Sequence, residues 1–131
     1  MIVLDTHTWV WWVAMPERLS KAARTAVEKA TADGTLFVSS ISVWELHLLV
    51  ARDRLVLTMD TEEWISRSEA LPFLRFVPVD NRIAARSVHL PPPLHDDPAD
   101  RIIVATALTL GARLVTRDRR LLDYEPARAV W

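Results

Sequence analysis

The chain has 131 residues, 50% hydrophobic and 25% charged, with a net charge of −1, a globular composition expected as one domain over residues 1–131 that can bury roughly 68% of its unfolded surface. It has no cysteine, which excludes disulfides and thiolate metal sites and fits a reducing cytoplasm. No apolar run approaches the ~20 residues of a membrane span, and the near-neutral charge excludes nucleic-acid binding through a broad basic surface.

Ile2 to Leu4 read as a strand ending at Asp5, and no basic segment precedes them as in a signal peptide. Thr6 to Met15 read as a helix stopped by Pro16. Ser20 is placed to cap a second helix through Ala32, with Gly34 as its terminator. Leu36 to Ser39 form a second strand, and Ser40 or Ser42 caps the helix that carries Glu45. Leu55 to Leu57 suggest a short extended piece. Asp60-Thr-Glu-Glu63 is a capping box opening a helix to Ala70.

Leu74 to Val79 form a third strand, and Pro78 suits it to a sheet edge. Asn81 to Val88 are helical, and Pro91 to Pro93 form a rigid loop. Asp97-Pro98 starts a long apolar helix that Gly111 ends. Arg113 to Thr116 are a fourth strand and Ala127 to Val130 a candidate fifth. Strands alternating with helices predict an α/β fold with a mostly parallel sheet, whose ligand site lies beyond the carboxyl ends of its strands.

Four acids sit at such places. Asp5 follows the first strand and is, taken alone, a good helix cap. Asp118 follows the fourth strand and has arginines nearby as partners. Asp100 lies in the first turn of a helix whose cap needs only Asp97. Glu45 shares a helix face with Ile41, Leu48 and Leu49, so it either pairs with Arg52 or faces a cation. Four acids converging on one sheet edge repel one another unless a divalent cation fills the cluster.

Met1-Ile-Val-Leu-Asp-Thr-His7, Ser42-Val-Trp-Glu-Leu46, His95-Asp-Asp-Pro-Ala-Asp-Arg101 and Leu114-Val-Thr-Arg-Asp118 resemble the four signature segments of PIN-domain ribonucleases, and more closely those of the VapC toxins of toxin–antitoxin pairs. The resemblance spans the chain in order. It implies an α/β/α sandwich with a central, mostly parallel sheet, and Asp5, Glu45, Asp100 and Asp118 as the catalytic, metal-binding acids. Asp97 is not counted among them and Asp96 has no assigned role. It further implies a cytoplasmic homodimer, an antitoxin partner and an RNA substrate of the tRNA or rRNA class.

Oxygen ligands without cysteine or paired histidines select Mg²⁺ or Mn²⁺. One ion or two is left open by the sequence. Hydrolysis by activated water needs no ribose hydroxyl and leaves a 5′-phosphate and a 3′-hydroxyl. Thr116 is placed to orient a carboxylate or water, and Arg101, Arg117, Arg119 and Arg120 to hold phosphates. His7 and His95 have no partner at ligand spacing and are not read as bases. Trp11 and Trp12 point about 100° apart on a helix and with Trp9 and Trp44 suggest an exposed aromatic interface.

Other readings compete. A receiver-like phospho-acceptor domain would want an acidic pair after the first strand and a late lysine, but the only lysines are Lys21 and Lys29. A phosphatase with an Asp nucleophile would want a second Asp where His7 stands. An inert PIN-like module binding RNA or protein is disfavoured because all four acids are present. Two glycines leave no phosphate-cradling loop.

Overall fold

A computed structural model describes residues 1–131. Strands β1 (Ile2–Leu4), β2 (Leu36–Ser39), β3 (Leu74–Val77) and β4 (Arg113–Val115) form one parallel sheet in the order β3-β2-β1-β4. A receiver domain has the order 2-1-3-4-5, so the topology removes that reading. The strands are short and apolar because both faces are covered. Ile2, Leu4, Leu36, Val38 and Leu74 enter one core, while Val3 and Leu114 enter the other. This is the period-two alternation of a strand applied to two buried faces.

Helices α1 (Thr6–Ala14), α2 (Lys21–Asp33) and α4 (Thr61–Glu69) supply Trp9, Val10, Ala23, Val27, Trp64 and Ile65 to the first core. Helices α5 (Asn81–Val88), α6 (Pro98–Leu110) and α7 (Arg119–Leu122) supply Ile83, Ile103, Val104 and Leu121 to the second. Helix α3 (Ile41–Ala51) leaves the carboxyl end of β2 and packs against both α1 and α6. The result is the expected α/β/α sandwich. No helix is long and apolar enough to cross a membrane.

Most predicted boundaries hold because they rest on local hydrogen bonds. Asp5, Ser20, Asp60, Asp80, Asp97 and Asp118 each accept a backbone N–H at a helix start. Gly34 and Gly111 end α2 and α6 in the left-handed region, at φ +68° and +67°.

Several expectations are corrected. Ser40 holds the N-cap position of α3 as one of the two expected serines, but its side chain makes no cap bond, and Ser39 Oγ accepts the Ile41 N–H at 3.2 Å instead. Glu63 pairs with Arg67 at 2.8 Å and does not close the capping box. Leu55 to Leu57 have no strand neighbour and are irregular. The fifth strand reduces to one bridge, Val130 to Val115, because Glu125–Ala127 coil into a 3₁₀ turn and Arg128 is left-handed at φ +47°.

The tryptophans are covered largely within the chain. Trp9 is fully buried against Trp64 and Phe76, at ring distances of 5.0 and 5.5 Å. Trp11 is half-buried against Trp131 at 5.9 Å, and Trp12 against Phe73 at 5.6 Å. The two faces of α1 therefore meet separate partners, one of them the C-terminal residue. Among the tryptophans expected at an exposed interface, only Trp44 is open to solvent.

Candidate metal centre

The parallel sheet aims the ends of β1 and β4 at the same loops. Asp5 caps α1 with Oδ1, which accepts the Thr8 N–H at 2.9 Å. Its Oδ2 accepts a short hydrogen bond from the Thr116 hydroxyl. That hydroxyl oxygen in turn accepts the Asp118 N–H at 3.0 Å. One buried threonine thus ties together the two strand ends that carry acids. Asp5 serves as cap and as cleft residue at once.

Glu45 accepts a short hydrogen bond from Thr6, whose hydroxyl also bonds Ser42 Oγ at 2.9 Å. Arg52 forms no ion pair with it, so the Arg52 pairing expected as one alternative is absent and the Thr6 hydroxyl is the partner that Glu45 has in the fold. At the start of α6, Asp97 accepts the Asp100 N–H at 3.0 Å, which frees the Asp100 side chain from capping. Glu45, Asp97 and Asp100 each present an oxygen within 4.8 Å of the others.

Asp97, which the resemblance does not count among the site acids, joins the cluster while also capping α6. A carboxylate has about four lone-pair sites, so one N–H does not exhaust it. Asp118 caps α7 through the Arg120 N–H at 2.8 Å and pairs with the Arg120 guanidinium at 3.1 Å. That guanidinium also stands 3.8 Å from Asp100. Asp5, Glu45, Asp97, Asp100 and Asp118 line a single open cleft of about 610 Å³, joined by Arg54, Arg117 and Arg120.

The electrostatics follow from this crowding. Burial raises the Asp5 carboxyl above its ordinary value, against the opposing pull of the Thr116 and Thr8 hydrogen bonds. Glu45 is raised by burial and then by the charges of Asp100, Asp97 and Asp5, with Thr6 opposing. Asp100 is raised by burial and by Asp97, with the His95 bond opposing. Asp118 differs. Burial pushes it up, but the combined Arg120 contacts outweigh burial and hold it below the carboxylate range.

Other residues named from the sequence are sorted by long-range contacts. His95 Nε2 bonds Asp100 Oδ2 at 2.7 Å, while Nδ1 is buried without a partner. Arg101 does not line the cleft. Its guanidinium donates to the carbonyls of Ser87, Val88, Leu94 and His95, at 2.9 to 3.4 Å, pinning the end of α5 and the Pro-rich loop to α6. It holds protein backbone, not phosphate. Arg119 pairs with Asp123 at 3.5 Å. Arg117 is exposed on the cleft wall, 5.9 Å from the Trp11 ring. His7 lies on the same wall, and Asp96 lines a separate groove with Ser87 and Arg101.

Oxygens bound to one Mg²⁺ or Mn²⁺ lie at most about 4.2 Å apart, so the Glu45, Asp97 and Asp100 trio is near the spacing of a single shell. Every donor is a hard oxygen. The residues present fit a hard divalent cation.

A short parallel sheet with acids gathered past its carboxyl ends defines a class, and the PIN domain model matches residues 2–125. The chain belongs to the PIN-domain family, and within it to the VapC type. Ribonuclease VapC22 of Mycobacterium tuberculosis is 40% identical over 129 residues, covering 98% of this chain and 95% of that protein. Among solved structures, a toxin–antitoxin complex from Klebsiella pneumoniae superposes with a TM-score of 0.66 at 19% identity, over 100% of this chain and 97% of the other. FitAcB from Neisseria gonorrhoeae does so with a TM-score of 0.59 at 26% identity, over 99% and 95%.

Proposed function

We propose that the protein is a divalent-metal-dependent endoribonuclease acting as the toxin of a toxin–antitoxin pair. The observation that carries the reading is the convergence of five acids on one cleft in a chain of VapC type. Glu45, Asp97 and Asp100 would hold a Mg²⁺ or Mn²⁺ ion, and Asp5 and Asp118 would complete the acidic set. The cation would supply Lewis-acid polarisation of a phosphoryl oxygen and a nucleophile active at neutral pH.

The chain's own residues do the rest. Thr116 fixes the Asp5 carboxylate and the Asp118 backbone. Thr6 fixes Glu45, and His95 fixes Asp100. Arg117 and Arg120 give the cleft the positive charge that RNA phosphates require and the whole chain lacks. Cleavage by water leaves a 5′-phosphate and a 3′-hydroxyl.

The same reading makes the protein a cytoplasmic homodimer whose activity a small antitoxin blocks, with tRNA or rRNA as the substrate class. The similar structure from Klebsiella pneumoniae is a toxin–antitoxin complex, which supports the antitoxin partner. The test is an RNA cleavage assay with Mg²⁺ or Mn²⁺ on folded amide variants. Asp5→Asn, Glu45→Gln, Asp97→Asn, Asp100→Asn and Asp118→Asn are each expected to lose activity by about 100-fold or more. Full activity in Asp5→Asn, or activity that survives thorough chelation, rejects the proposal.

A further inference from the structure

Trp44 stands on α3 beside Glu45 with 54% of its surface exposed. It walls a groove of about 190 Å³ with Leu48 and Arg52. The groove shares Glu45, Leu49, Arg54 and Asp97 with the acidic cleft, so the two form one continuous depression. The end of α3 is built to bring Arg54 there. Asp53 is left-handed at φ +54°, with its N–H on Val50 O at 3.2 Å and the Arg54 N–H on Leu49 O at 2.9 Å.

That double bond pattern is a Schellman turn. The turn folds Arg54 back over the groove where a continuing helix would carry it away. The guanidinium groups of Arg52 and Arg54 make no ion pair within the chain.

We propose that this groove is a subsite for the single-stranded RNA flanking the scissile phosphate, with a base stacked on Trp44 and phosphates held by Arg52 and Arg54. The proposal rests on the ribonuclease reading above. A strand whose phosphodiester lies in the cleft must leave through one of its open ends, and this end presents two unpaired guanidiniums and a free indole face. Guanidinium and indole together match the repeating phosphate and base of a single strand, and stacking tolerates any base. A protein segment would satisfy the indole and leave the guanidiniums without repeated anions.

The test measures binding of a fluorescein-labelled oligouridylate of about eight nucleotides, by anisotropy in Mg²⁺, to Asp5→Asn protein that leaves the RNA intact. Asn also caps a helix, so this parent retains α1. Adding Trp44→Ala weakens binding about tenfold with an unchanged salt slope, and Trp44→Phe restores most of it. Adding Arg54→Ala lowers the salt slope by about 0.7, one single-strand phosphate.

Wild-type-like binding by both the Trp44→Ala and Arg54→Ala proteins, against a parent that binds, overturns the subsite alone. So does a Trp44→Ala protein whose RNA binding is intact but whose oligomeric state shifts, since the groove is then a protein interface. A parent that binds no RNA overturns the subsite and the ribonuclease reading together.

Discussion

Replacing Glu45 by Gln is expected to stabilise the chelated protein while weakening its response to metal. Gln keeps the length of the side chain and can still accept from Thr6, the only hydrogen-bond partner Glu45 has. What it removes is one charge from a trio whose oxygens lie within 4.8 Å of one another. At that separation two unit charges repel by about 0.9 kcal/mol in water and about 3.5 kcal/mol at an effective dielectric of 20. Asp97 is exposed and the cleft is open, so the gain belongs near the lower bound, about 1 kcal/mol. For a domain of this size that raises the unfolding midpoint by about 3 °C.

The pH dependence fixes the sign independently. Asp5, Glu45 and Asp100 are all raised in the folded protein. A raised carboxyl contributes stability below its ordinary value and loses it as pH rises through the raised value. The chelated wild type therefore gains stability on mild acidification from neutrality. The gain ends near the ordinary values of 3.8 and 4.5, where Asp118, held low by Arg120, begins to withdraw its own contribution. The advantage of Glu45→Gln shrinks over the same range as Glu45 itself takes up a proton.

The assay is thermal unfolding of both proteins, in chelator and in Mg²⁺ or Mn²⁺, near neutrality and near pH 5. Metal raises the wild-type midpoint by mass action and the variant's less. A Glu45→Gln protein that melts below wild type in chelator at neutral pH refutes the crowded-charge account.

Thr116→Val is isosteric and leaves Asp5 Oδ2 and the Asp118 N–H without their common partner. Denaturant unfolding should show a loss of about 2–3 kcal/mol, and RNA cleavage a fall of about 10- to 100-fold that Thr116→Ser recovers. Arg101→Ala strips the donor from four carbonyls, so unfolding should show a loss of about 3 kcal/mol. The salt slope of RNA binding should stay at the wild-type value in Arg101→Ala and fall by about 0.7 in Arg117→Ala. A reduced slope in Arg101→Ala would restore it as a phosphate contact.

Residue type and spacing determined what depends on neighbours in sequence. Helix starts at Asp5, Ser20, Asp60 and Asp97 and stops at Gly34 and Gly111 follow from backbone groups that a nearby side chain or a left-handed glycine can satisfy. The parallel sheet was legible because short apolar strands alternate with helices. It placed Asp5 and Asp118 past strand ends, where they are found.

Tertiary structure decided what depends on partners far along the chain. Thr116 meets Asp5 across 111 positions, and Thr6 meets Glu45 across 39. Asp97 joins Glu45 only because α3 packs against α6. Sequence alone leaves Arg101 open to phosphate, and the fold brings it two carbonyls at the end of α5 and two in the Pro-rich loop. Trp11 looked exposed until the C-terminal Trp131 came back to cover it. A side chain with several hydrogen bonds to give, or a broad apolar face, takes whatever the packing brings near, and only the three-dimensional path of the chain says what that is.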